Sequence, residues 1–351
     1  MNINEEIQNI LLNIDNRKIK EQSLEEYLNS FKKNELFEIL SLHINSSKDV
    51  IEMYVLKEKS KRKLIEYIRD NLKDILKVHL EYMKIESLNF LKEILPIIKE
   101  KDYDITDKKI PLTFASYFKK FHLAIFEYDD KNIKCFMPKQ FIQTFEKLLN
   151  ETNTIKENKK NNDLFNYLYY ITNAYGIIDL NTLYKFVNEN LCKIEKEEFI
   201  NKLNLFEISD DYLHIYECND EKIVCNIEFQ TEDMAINFYN SQTEDYKKYS
   251  LDELKLIGEN KYVENLSSYD KFIDYLNSIF DLTEEDTKYI TDFLIMNYIY
   301  SANISKEEAD EGFKMNASSM FDLEDSEIED MRKIAEKIFK DYPKWIKRGN
   351  K

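Results

Sequence analysis

Glycine and proline are nearly missing from this chain: its 351 residues contain four of each. Turns that need a positive φ, and phosphate loops built on clustered glycines, depend on these residues. A sequence this poor in them is confined to helices joined by polar loops, with a few short hairpins. Lys, Glu, Leu and Ile fill the space and favour helix. Hydrophobic residues make up 43% and aromatics 13%, enough apolar surface to offset the ordering entropy that keeps polar chains unfolded. The length exceeds one ordinary core. The expected fold is mainly α with small β-hairpins (α+β), a multi-domain helical protein.

Apolar spacing and helix-start signals divide the chain into five parts. Residues 1–100 read as a helical N-terminal domain. In it Ile7, Ile10, Leu11 and Ile14 share a face, Ser23-Leu-Glu-Glu26 forms a capping box, and further helices cover Asn34 to Leu42, Val50 to Leu56 and Lys63 to Val78. Pro96 should perturb or end the helix that begins near Ser87. Residues 101–151 read as a helix at Leu112 to Phe121, a hairpin of Leu123 to Tyr128 with Ile133 to Met137, and a helix at Lys139 to Leu149 behind Pro138. The polar, lysine-rich stretch 152–163 reads as a linker. Residues 164–230 begin with an aromatic helix stopped by Gly176 as a left-handed cap. Two helices follow, at Asn181 to Leu191 and Lys196 to Leu203. A hairpin then pairs Phe206 to Ile208 with Tyr212 to Tyr216, and Lys222 to Ile227 is a further strand. Residues 231–351 read as an acidic helical domain with capping boxes at Ser250, Ser305 and Ser326.

Helix, short strand, two helices and a hairpin is the order of a winged helix. Residues 164–230 follow it, and 101–151 follow it less fully, so one or two winged-helix-like units are expected.

The formal net charge is −17 and the pI about 4.9. The molecule therefore repels polyphosphate at long range, and any contact with nucleic acid must come from a local basic patch. Roughly eleven of the negative charges lie beyond Thr231, whereas the first hundred residues are nearly balanced. Acidic and amide residues in Met1 to Ile10, together with the lack of any long apolar run, lead us to expect a cytoplasmic protein that does not enter membranes. Cys135, Cys192, Cys218 and Cys225 are scattered, as reduced thiols are.

The helical segments Asn34-Glu-Leu-Phe-Glu-Ile-Leu40 and Ser60-Lys-Arg-Lys-Leu-Ile-Glu-Tyr-Ile68 are of the kind seen in Rho-terminator N-terminal (Rho-N) or SAP-like modules. With the turn Tyr175-Gly-Ile-Ile-Asp-Leu180 and the close Pro343-Lys-Trp345, the chain resembles a group of uncharacterised proteins of low-GC bacteria. The resemblance implies a Rho-N/SAP-like segment over about 34–72 and a winged-helix-like middle, and it implies no particular activity. Some members carry a cysteine-rich SEC-C-like zinc tail, which this sequence lacks.

The residue patterns point to binding and away from chemistry. No Walker-type, GxGxxG or GxSxG sequence is present, so neither a catalytic residue nor a cofactor is assigned. His43, His79 and His122 lie between apolar neighbours and read as helix-face or core-edge residues. His214, Cys218 and Cys225 share one hairpin and are side chains that zinc accepts, but a fourth ligand is missing. They read as buried thiols beside a histidine. For nucleic acid the candidates are Lys57, Lys59, Lys61, Arg62 and Lys63, a compact basic run at a helix start. For a protein partner they are Tyr167, Tyr169, Tyr170 and Tyr184, aromatics of the kind favoured at interfaces, with Glu195 and Glu198. Those two carboxylates open the helix that a winged helix would lay in the major groove, where phosphate repels them. The sequence thus reads as a non-catalytic regulatory or adaptor protein acting through protein contacts. The alternatives are a nucleic-acid-associated regulator and an acidic inhibitor of a basic nucleic-acid-processing enzyme.

Overall fold

The computed structural model describes residues 23–46, 55–100, 103–129, 132–209, 212–219 and 221–351. The helical face at Ile7 to Ile14 and most of the segment Val50 to Leu56 lie outside them. The described residues are mainly helical, with two small antiparallel sheets of two and three strands. No described helix is long and apolar enough to cross a membrane. Where composition suggested five segments, internal packing marks two compact units. Unit 1 comprises residues 1–165 and 195–210, and unit 2 comprises residues 166–194 and 211–351.

Unit 1 begins with α1 (Leu24–Asn29), whose expected capping box is formed: the Ser23 amide donates to Glu26 Oε2 at 2.8 Å and the Glu26 amide to Ser23 Oγ at 3.2 Å. Then follow α2 (Lys33–Ser46), α3 (Lys61–Asp70), α4 (Leu72–Tyr82), α5 (Ile85–Glu100) and α6 (Leu112–Lys120). The hairpin β1 (Ile125–Asp129) with β2 (Asn132–Phe136) leads to α7 (Lys139–Leu149), which starts directly after Pro138 as expected. One core buries Leu36, Ile39, Leu40, Ile75 and Leu76 with Phe114, Phe118, Phe141 and Phe145.

Pro96 does not end its helix, because α5 runs four residues past it. Ile94, Leu95 and Ile98 are buried on either side of the proline, and their packing outweighs the one lost backbone hydrogen bond.

The linker expected at 152–163 is instead the first half of α8 (Thr152–Tyr175). Its polarity serves the interior. Asn158 Nδ2 donates to the carbonyls of Leu80 and Met83, both at 2.7 Å, and Asn161 Nδ2 donates to the Glu81 carbonyl at 3.0 Å. Asn162 Nδ2 reaches the Met83 carbonyl at 3.0 Å. The end of α4 leaves carbonyls without helical partners, and these amides supply donors to them from a neighbouring helix.

Unit 2 begins with the second part of α8. Gly176, at φ +71°, ends this helix and donates its amide to the Thr172 carbonyl at 2.8 Å, as the sequence led us to expect. β3 (Ile177–Asp179) and α9 (Leu180–Asn190) follow, and α10 (Lys196–Ser209) belongs by its packing to unit 1. The hairpin placed on Phe206 to Ile208 is therefore corrected: those residues are the last turn of α10. Phe199, Leu203 and Phe206 repeat at helical spacing and are buried together. The reversal lies later in the chain. β4 (Leu213–Cys218) pairs with β5 (Glu221–Asn226), next to Asn219 at φ +51°, and β5 also pairs with β3, giving the order β3-β5-β4.

The rest of unit 2 is helical: α11 (Glu232–Ser241), α12 (Leu251–Gly258), α13 (Ser267–Ile279), α14 (Glu284–Ile304), α15 (Lys306–Met320) and α16 (Asp325–Asp341). The box expected at Ser250 caps α12 in full, while Ser305 caps α15 with the serine half alone; the Glu253 and Glu308 amides donate to the serine oxygens at 3.3 Å. The third box lies two residues toward the N-terminus, at Glu324 and Glu327 in place of Ser326 and Glu329. Past α16, Trp345 enters the core. Its indole N–H donates to the Asn173 carbonyl at 2.8 Å, and its amide donates to Asn303 Oδ1 at 2.9 Å.

Candidate functional site

The basic run sits in unit 1 at the start of α3. Ser60 caps that helix by accepting the Lys63 amide. Lys61 Nζ donates to the Asn29 carbonyl at 2.7 Å, tying the run to the end of α1. Lys33 Nζ, at the start of α2, donates to the Lys57 carbonyl at 2.6 Å. The fold thus adds Lys32 and Lys33 to the basic run, and both are exposed. Their only sequence signal was a lysine pair before a helix, separated from the run by more than twenty residues.

Part of this charge is matched internally. Arg62 Nε lies 3.1 Å and Lys63 Nζ 2.8 Å from the Glu66 carboxylate, and these hydrogen bonds, Lys63 first, hold that carboxyl below its ordinary range. Lys57 is also exposed, while Lys59 and Lys61 are half-buried.

The second candidate surface is the leading turn of α10, in the same unit. Glu195, Glu197 and Glu198 are exposed there. The apolar side of α10 is covered by α2 and α4, and Phe206 packs on Tyr82 and Phe165. Lys202, the cation one turn past Glu198, is drawn inward. Its Nζ lies 2.6 Å from both Glu157 Oε1 and Asn161 Oδ1, with 12% of the side chain exposed. Burial disfavours the Glu157 anion, but the Lys202 hydrogen bond and charge outweigh it and hold the carboxyl below its usual range. The nearby Glu81 carboxyl is pushed up by burial. Glu198 Oε1 also lies 4.0 Å from Lys202 Nζ, and Lys196 is exposed in the same turn, so the turn shows three carboxylates and one lysine outward while Lys202 pairs most closely with Glu157.

The tyrosines fare differently. Tyr167 is buried in unit 2 with its hydroxyl directed at the Phe186 carbonyl, 3.3 Å away, so it is a core residue and is withdrawn from the docking surface. Tyr184 donates to the Ile194 carbonyl at 3.0 Å. Tyr169 packs edge-on against Tyr212, and Tyr170 lies over Gly258 with its hydroxyl 3.4 Å from Glu259. Aromatic composition could not separate these packing roles from an interface.

His214 lies opposite Cys225 across the β4–β5 ladder, while Cys218 faces Glu221 at the far end. Cys218 and Cys225 are both buried, and among the described residues no group of three or more His, Cys, Asp or Glu side chains converges as a metal site would require. His79 is sealed between Tyr117 and the Ile39 carbonyl, at 3.2 and 2.9 Å, and burial lowers its pKa to about 4. His122 Nε2 lies within hydrogen-bond distance of Glu38 Oε2, at 2.6 Å.

Comparison of the chain with protein-family models, with curated proteins and with solved structures gave no match.

Proposed function

We propose that this chain is a non-catalytic regulatory or adaptor protein that docks a partner protein through the leading turn of α10. The observation that carries this reading is the outward set of Glu195, Glu197 and Glu198 on a helix whose Lys202 is committed to Glu157 and Asn161. A groove of phosphates repels such a turn, whereas a basic protein surface complements it. The chain order α8-β3-α9-α10-β4-β5 is that of a winged helix, but α10 packs in unit 1 and the strands and α9 in unit 2, so the reading rests on the charge of the leading turn of α10 and not on a winged-helix unit. The resemblance to the low-GC bacterial group enters this proposal as architecture alone.

The test places a photo-crosslinking residue at position 198 and irradiates the protein in extracts of its native host. A discrete protein adduct that fades at about 0.5 M salt, where exposed charge pairs are screened, and that is lost with Glu195→Lys, supports the reading. Nucleic acid crosslinked at position 198 would overturn it.

A further inference from the structure

The corner of unit 1 where α2 and α3 begin carries the opposite charge from the rest of the molecule, and we propose that it binds the phosphate backbone of duplex nucleic acid. The inference stands independently of the docking role of α10. Three observations carry it.

First, the fold joins cations that the sequence separates, since the contacts Lys33 to the Lys57 carbonyl and Lys61 to the Asn29 carbonyl draw the two helix starts together. Carbonyl partners orient these ammonium groups without neutralising them. Second, among the described residues the two helix starts, 32–36 and 57–66, hold Lys32, Lys33, Lys57, Lys59, Lys61, Arg62 and Lys63 against Glu35, Glu58 and Glu66. Glu66 pairs with both Arg62 and Lys63, yet the side chains of those two residues remain 88% and 63% exposed. Third, the positive ends of two helices of ten or more residues add to the same field.

Membrane lipid is the competing polyanion. A membrane-seated surface needs apolar side chains beside its cations, and between Ser23 and Asp70 Val55 is the one exposed large hydrophobic among the described residues. Single strands are gripped through exposed stacking aromatics. Among the described residues of α1 to α3 and their connections, the aromatics Tyr27 and Phe31 are in the core, and Phe37 and Tyr67 are packed against it. Charge without stacking or apolar insertion suits a duplex held through its phosphates, with little dependence on sequence.

Fluorescence anisotropy of the full chain with a labelled duplex of about 20 base pairs tests this. For about four phosphate contacts the Kd should rise about 10²-fold between roughly 50 and 200 mM salt. Arg62→Glu with Lys63→Glu should weaken binding at least tenfold and flatten the salt slope by about two. Because the reversal adds repulsion at Glu66, Arg62→Gln with Lys63→Gln serves as the second variant, with circular dichroism verifying the fold of each. DNA and RNA duplexes, run side by side, assign the kind of backbone. Duplex affinity unchanged in both variants would overturn the proposal. So would the absence of duplex binding at the low salt, or binding to phosphatidylserine vesicles without any to duplex.

Discussion

Gly176 and Trp345 meet so closely that a Cβ placed on the glycine would lie 2.6 Å from indole Cγ and Cδ2. The same glycine holds φ at +71°, where a side chain is strained. Strain and overlap act together, so Gly176→Ala should cost about 3 kcal/mol, combining the left-handed backbone penalty with overpacking. Urea unfolding would measure this, and a loss below about 1 kcal/mol would show that the indole can move aside.

Asn158 is the polar counterpart in unit 1. Replacing it with Leu keeps helix propensity and bulk but takes the side-chain donor from the Leu80 carbonyl, while Met83 keeps Asn162. One buried acceptor without its donor should cost about 1 to 3 kcal/mol. Because Asn158 and Asn162 share the Met83 carbonyl, the variant that replaces both should lose more than the sum of the singles, which a double-mutant cycle reads directly.

His79 makes stability depend on pH with a defined sign. Its pKa falls from 6.5 to about 4 on folding because burial disfavours the imidazolium. Below about pH 6.5 the unfolded chain takes up a proton that the folded chain refuses. The stabilisation is therefore complete above pH 6.5 and is lost as pH falls toward 4. The linked free energy is about 2 kcal/mol at pH 5 and about 3 kcal/mol in total. Unfolding at pH 7.5 and pH 5, run on the native chain and on His79→Gln, isolates this contribution. Equal pH slopes in the two proteins would contradict it.

Gly312 lies within α15, and a Cβ there would meet nothing within 4 Å. Its φ is not positive, so alanine fits without strain. Gly312→Ala should raise stability by about 0.5 to 1 kcal/mol through helix propensity. A loss of stability at this position would point to a role that the packing does not explain.

Much of the architecture followed from local signals. The capping boxes at Ser23 and Ser250, the start of α7 after Pro138 and the end of α8 at Gly176 were readable because caps and breakers act on their immediate neighbours. Where a segment's meaning depended on distant partners, the reading failed. The asparagines at 158, 161 and 162 looked like solvent-exposed linker, because the carbonyls they cap lie about eighty residues away. Phe206 looked like the start of a hairpin until burial against Tyr82 and Phe165 kept it in a helix.

The candidate surfaces divide in the same way. Composition and spacing were enough to establish a helical, acidic chain with a basic run at 57–63 and carboxylates at 195 and 198, because charge and periodicity are properties of the residues themselves. The fold alone added Lys32 and Lys33 to that run, turned Lys202 inward and enclosed Tyr167. Each of these depends on which atoms come within a few ångströms across many residues of chain, and neither propensity nor spacing carries that information.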